Sequence, residues 1–423
     1  MSVANGKKRK NNLCSLFSAC AALFLVSSML IWPEETYQGA LAGLELWATI
    51  LIPSLLPFFI IAEIVFNLGI VSMLGVLLEP LMRPLFNLPG SASFVLAMGF
   101  TSGFPMGAIL TKRLHEKKEC TLAEAERLLA FTNNASPLFL MVAVAVGMFQ
   151  QSALGLLLVL SHYLANLLLG IFLGLKSRFS WGQRRQKNSL FSPSSEIKNL
   201  FPRPGLLLQS IRALLQAQEK RKPWGQLLSE AIKSGLNTIC LIGGFVIIYA
   251  VLIKILQVTS LLSLLRYPCS VFLQSCGLEA SLDKALATGF WEMTLGLQEV
   301  SSTTAPLREK AIIAGILLGW SGLSIQSQVT GILSGSGINP RLYYQGRIMQ
   351  GLLAGLITSL LTLNDSWPVL FTTPALTPLP PQHPFLPLAI FNLLYLSKFF
   401  SLTMLTLFLL SCLTLSLNYL QKK

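Results

Sequence analysis

The polar side chains that could do chemistry in this sequence lie inside apolar runs. They fall in short stretches: Thr101 and Ser102; Asn133, Asn134 and Ser136; Glu292 and Thr294; and Ser321, Ser324, Gln326 and Gln328. Hydroxyls, amides and a carboxyl, with no nucleophile–base set, make a hydrogen-bonding site rather than a catalytic one. Such a set suits a small polar ligand. Left without ligand or water in an apolar interior, each unsatisfied group costs roughly 1–3 kcal/mol. The same groups could satisfy one another as glue between helices. Glu292 is the sharpest candidate, because a carboxyl within a span is protonated, paired or cation-bound and marks a functional position.

The elements that must position these residues are themselves broken. Gly99, Gly103 and Gly107 recur at four-residue spacing around Pro105, inside the apolar run Ala92 to Leu110. Further along, the Asn133–Ser136 stretch runs into Pro137, which disfavours helix at Ser136. The second half repeats both breaks, at Gly289 to Gly296 and at Gly319 to Gln328 with Gly322 inside it. In a bilayer, broken backbone persists only where protein or a water-filled cavity satisfies it. Paired interruptions at matching places in two halves point to a transporter binding site. The sequence therefore predicts re-entrant helical hairpins over 92–110 and 282–300, the first turning near Thr101 to Gly103. It predicts helices over 127–149 and 311–333, unwound at Asn133–Pro137 and Gly319–Gln328. A plain helix with a GxxxG packing face is the alternative for 92–110. Half-helix N-termini at the breaks favour anionic groups.

Composition places these elements in a membrane. The 423 residues are 53% hydrophobic and 12% charged, where a soluble domain carries about a quarter charged residues. The net charge of +14 collects outside the apolar runs, at Lys7 to Lys10, Lys112 to Lys118 and Lys176 to Lys222. This is the positive-inside pattern, with the basic side cytoplasmic. No basic folded module is visible, so nucleic acid is not an expected partner. The cysteines and histidines are scattered without metal spacing, and no HExxH, Walker A or GxSxG motif occurs. Neither a cofactor nor a metal nor an enzymatic activity is expected.

In order, residues 1–38 read as a basic tail and first membrane helix, with Pro33 to Thr36 as a short external loop. Residues 39–175 form a first repeat. Its leading span carries Glu45 and Glu63 and should kink at Pro53 and Pro57. Ile70 to Leu88 reads as interfacial, and Thr121-Leu-Ala-Glu124 as a capping box. Residues 176–228 are a basic linker in which Leu206 to Leu215 could form a short amphipathic helix. Residues 229–363 form the second repeat, Leu261 to Cys276 taking the interfacial place. Residues 364–387 are a proline-rich external loop, and 388–423 a last helix and basic tail. Arg341 and Arg347 are read as lying on the cytoplasmic side, and Leu342 to Leu363 as the span that leads out. Apolar runs of roughly 20 residues give about eight crossings, with both termini cytoplasmic and the two repeats inverted.

At Gly103-Phe-Pro-Met-Gly107, Ala123-Glu-Ala-Glu-Arg127, Asn133-Asn-Ala-Ser-Pro137, Gly289-Phe-Trp-Glu292 and Gly319-Trp-Ser-Gly322, the chain resembles the YlbJ/SpoVV family of sporulation integral membrane proteins. That family belongs to the nucleoside-recognition, or Gate-domain, group. The resemblance implies an all-α polytopic fold similar to concentrative nucleoside transporters, with ligand held between hairpin turns and unwound helices. It also implies movement of dipicolinic acid across the outer forespore membrane toward the spore, in a mother-cell-derived membrane. Dipicolinate is a dianion at neutral pH. Glu292 is then protonated, or a cation accompanies the ligand, or Glu292 lies off the path. A coupling proton or cation and a homo-oligomer are compatible with this reading. A nucleoside or other small-solute carrier, or a non-transporting scaffold for spore-envelope assembly, are the alternatives.

Overall fold

The computed structural model describes residues 19–68, 82–181, 206–219 and 223–364, together with residues 73, 76, 80 and 367. Within them all regular structure is helical, with no strand, and the chain is an all-α integral membrane protein. Helix α1 (Ala19–Ile31) precedes α2 (Pro33–Leu46). Pro33 to Thr36 is therefore not a loop. Proline pre-sets the helical φ at a first turn, and Glu34 and Glu35 complement the dipole there. A π-helical turn, Trp47–Leu51, joins α2 to α3 (Ile52–Asn67). The two arms meet at 54°, close to the predicted proline kink.

Next come α4 (Ala92–Ser102), α5 (Met106–Glu116) and α6 (Leu122–Thr132). The start of α6 is a capping box: the Glu124 amide donates to Thr121 Oγ1 and the Thr121 amide donates to Glu124 Oε2 at 2.9 Å. A π-helical segment, Phe139–Met148, and α7 (Ser152–Trp181) close the first half. The linker holds α8 (Leu206–Glu219), where the amphipathic helix is predicted. The second half is α9 (Trp224–Val258), α10 (Leu261–Ser275), α11 (Asp283–Trp291), α12 (Met293–Ser302), α13 (Leu307–Trp320), α14 (Gly322–Leu333) and α15 (Arg341–Leu361). Part of Ile70 to Leu88, much of the linker, nearly all of the proline-rich loop and the last helix lie outside the described residues.

Among the described residues, three helices are long and apolar enough to cross a bilayer, or up to four if the bent α2–α3 pair is one span. The first expected crossing is described from Ala19 on, as the shorter apolar helix α1, and the last, over 388–423, lies outside the described residues. Helix α15 carries buried Arg347 and Gln350 and is not among the long apolar helices.

The two halves run in opposite senses. Gly39 and Gly43 of α2 press on Val251 and Ile247 of α9, while Gly235 of α9 presses on Ile60 of α3. As one leading helix advances the other returns, which is the inverted arrangement. Each half then folds a helical hairpin, α4–α5 or α11–α12, against a broken helix, α6 with Phe139–Met148 or α13 with α14.

Candidate ligand-binding site

Two glycines show how each hairpin tip meets its break. Gly103 turns the first hairpin at φ +78°, and a Cβ there would sit 2.8 Å from the Ser136 amide nitrogen in the first break. In the other half the roles are exchanged. Gly322 follows the second break at φ +75°, and a Cβ would sit 2.8 Å from the Met293 nitrogen at the second hairpin tip. Only glycine meets both the left-handed backbone and the close approach. Gly322→Ala is expected to cost about 1–3 kcal/mol, seen as a lower unfolding midpoint of the detergent-solubilised protein.

The breaks differ in detail from the sequence expectation. The first hairpin turns at Gly103-Phe104-Pro105, because α4 keeps Thr101 and Ser102 helical. Gly99 and Gly107 are helical too, lying against the Thr132 carbonyl oxygen. Gly289 and Gly319 are likewise within helices, and Pro137 begins the helical turn that leads into Phe139–Met148. The second break is confined to Ser321, at φ 64°. Ser324, Gln326 and Gln328 therefore stand on the first turns of α14 rather than on unwound chain.

One cavity of about 50 Å³ lies where the four elements converge. Ser102, Ser136, Glu292, Thr294, Ser324 and Gln328 line it, with Phe59, Phe104, Phe139 and Ile242 as apolar walls. At ~10–15 Å³ per water it holds a few waters. Ser102 Oγ and Ser324 Oγ are buried without a partner, so both hydroxyls are free for a ligand or water. Glu292 forms the tip of the second hairpin and is 2% exposed. Its Oε2 accepts from the Leu295 amide at 2.7 Å and its Oε1 from Thr294 Oγ1 at 3.2 Å. It thus N-caps α12 while facing the cavity. Ser136 does the same in the first half, accepting from the Phe139 amide at 3.2 Å. The break of one half and the hairpin tip of the other thus each present a capping side chain, one neutral and one acidic.

The remaining predicted residues are placed elsewhere. Thr101 Oγ1 turns back to the Ala97 carbonyl at 2.9 Å, and Gln326 Nε2 donates to the Trp320 carbonyl at 3.1 Å, closing the break it follows. Asn133 and Asn134 face away from the cavity into a second polar cluster. Asn133 Nδ2 donates to Tyr343 Oη at 3.3 Å, and Asn134 Nδ2 to the Phe131 carbonyl at 2.8 Å.

Arg347 organises that cluster, and the sequence reading misses it. It is fully buried on α15. Its guanidinium donates to the Ala130 carbonyl at 2.8 Å, the Asn133 carbonyl at 2.9 Å and Asn134 Oδ1 at 3.4 Å, and it sits 5.3 Å from the centre of the Tyr343 ring. It caps the carbonyls that α6 leaves orphaned where it breaks, as a cation at a helix C-terminus should. Gln350 Nε2 adds a bond to Asn134 Oδ1 at 3.2 Å. The available signal was an arginine several residues into an apolar run.

A family model described as Gate, nucleoside recognition, matches residues 48–172, the stretch that holds the first hairpin and break. The sporulation integral membrane protein YlbJ of Bacillus subtilis (strain 168) is 39% identical over 359 residues, covering 85% of this chain and 84% of the relative. Among solved structures, an intermediate 3 state of a CNTnw variant overlaps 85% of this chain and 88% of its own, with TM-score 0.44 and 14% identity. At that score the overlap says nothing of the site, and the hairpins and breaks stand on the chain's own geometry.

Proposed function

Because the chain belongs to the family of the sporulation integral membrane protein YlbJ, we propose that it is a sporulation transporter for a small carboxylate, dipicolinic acid in the first place. In this reading it works in the outer forespore membrane, moving solute from mother cell toward spore, with termini cytoplasmic and both hairpins re-entrant. The observation that carries the reading is the convergence of two hairpin tips and two helix breaks on one buried polar cavity. Unpartnered Ser102 and Ser324 hydroxyls and the Gln328 amide offer hydrogen bonds to carboxylate oxygens. The phenylalanine walls suit a flat ring. Inverted repeats that rock about such a site give alternating access.

A nucleoside carrier is the second reading, favoured by the Gate match and by Glu292, whose carboxylate suits sugar hydroxyls. Ligand stabilisation separates the two. At a hundred times its Kd, a ligand adds about 2.7 kcal/mol to the folded state. Dipicolinate is expected to raise the unfolding midpoint of the solubilised protein, and Ser102→Ala with Ser324→Ala to reduce the rise. A rise with uridine and none with dipicolinate would replace the first reading by the second.

A further inference from the structure

The central cavity has a larger neighbour. On the far side of the π-helical turn Trp47–Leu51 lies a polar chamber of about 490 Å³ between α2, α9 and the second hairpin. The two spaces meet across consecutive residues. Ile50 faces the chamber and Leu51 the cavity; Leu295 faces the chamber and Thr294 the cavity. Irregular π turns of this kind are frequent at functional sites.

The chamber's charges are unequal in their pairing. Lys284 Nζ is held by Glu299 at 2.8 Å. Lys254 of α9 and Glu45 of α2 also line the chamber, and neither has an ion-pair partner among the described residues. Thr288, 1% exposed, lines the same space with its hydroxyl buried and unpartnered, and Gln298 Oε1 is buried and unpartnered beside it. A cation without a counterion, lining the same space as an unused buried hydroxyl, suits an oxygen anion.

Resting on the transport reading above, we propose that this chamber is a second ligand station, an anteroom in which Lys254 and Thr288 take the carboxylate of the solute before or after the central cavity. Glu45 opposes it. A dianion is attracted by Lys254 and repelled by Glu45, and Lys284 with Glu299 contributes little net charge. The station thus selects for carboxylates by charge, and the central cavity by hydrogen bonds and shape.

The opposed charges give a test that general damage to the fold would not mimic. Dipicolinate binding by calorimetry on the solubilised full chain, and dipicolinate flux into proteoliposomes, are measured for wild type, Lys254→Gln, Lys254→Arg and Glu45→Gln. Lys254→Gln is expected to weaken apparent affinity about tenfold and to flatten its dependence on salt. Lys254→Arg, which keeps the charge, should stay within about twofold, and Glu45→Gln should strengthen affinity about threefold. Shifts of the same sign in Lys254→Gln and Glu45→Gln, or none in either, with wild-type flux intact, would overturn the anteroom and leave the transport reading standing. Dipicolinate that binds through Lys254 but is never carried would keep the station and remove the transport reading. A wild type that neither binds nor carries dipicolinate would remove both.

Discussion

Replacing Arg347 by methionine is expected to lower the stability of the solubilised protein by about 2–4 kcal/mol and to abolish transport. The sign is not obvious, since removing a buried guanidinium also removes the cost of desolvating it. Among the described residues the cation has no carboxylate to orphan. It has the Ala130 and Asn133 carbonyls at the broken end of α6. Methionine fills the volume but leaves both carbonyls without donors, at roughly 1–3 kcal/mol each, and that loss outweighs the recovered desolvation. Lysine keeps a charge but not the fork that spans Ala130 and Asn133, so Arg347→Lys should fall between wild type and Arg347→Met. Denaturant titration in detergent reads the effect. A midpoint unchanged in Arg347→Met would mean that the break is held by other contacts.

Replacing Glu292 by alanine is expected to cut flux at least tenfold, equivalent to about 1.4 kcal/mol in the barrier, with a smaller loss of stability. The side chain has two duties. As N-cap of α12 it satisfies the Leu295 amide, which contributes about 1 kcal/mol. As a cavity wall it sets charge and hydrogen bonding where the solute passes. Glu292→Gln keeps an acceptor for the cap and removes the charge, so it separates the two. Stability near wild type with altered flux in Glu292→Gln assigns the transport effect to the cavity. Flux unchanged in Glu292→Gln would leave Glu292 as a cap alone.

The breaks were legible because a membrane makes them conspicuous. Clustered glycine, proline and amides are costly inside an apolar run unless the backbone breaks there, and Gly103, Glu292 and Ser321 all lie at or beside real interruptions. The paired halves were legible for the same reason. Less legible was where each break stops. Thr101 and Ser102 stay helical because the Gly103-Phe104-Pro105 turn absorbs the reversal. Ser324 to Gln328 stay helical because a single left-handed residue at Ser321, followed by Gly322, suffices. The direction in which Asn133 and Asn134 point was beyond local reading. It is set by Tyr343, Arg347 and Gln350, more than two hundred residues away, which no spacing within the break reveals. The chamber at Lys254 escaped for a like reason: Glu45, Lys254 and Glu299 come together only when α2, α9 and the second hairpin pack.

Whether the chain carries dipicolinate is decided by dipicolinate entry into sealed vesicles that contain the purified wild-type protein, across a range of proton and cation gradients, with uridine and empty vesicles alongside. Saturable dipicolinate flux that exceeds both controls is the expected result. Folded protein that passes no dipicolinate under any gradient would contradict the transport reading, and the site would then belong to another solute or to a scaffold.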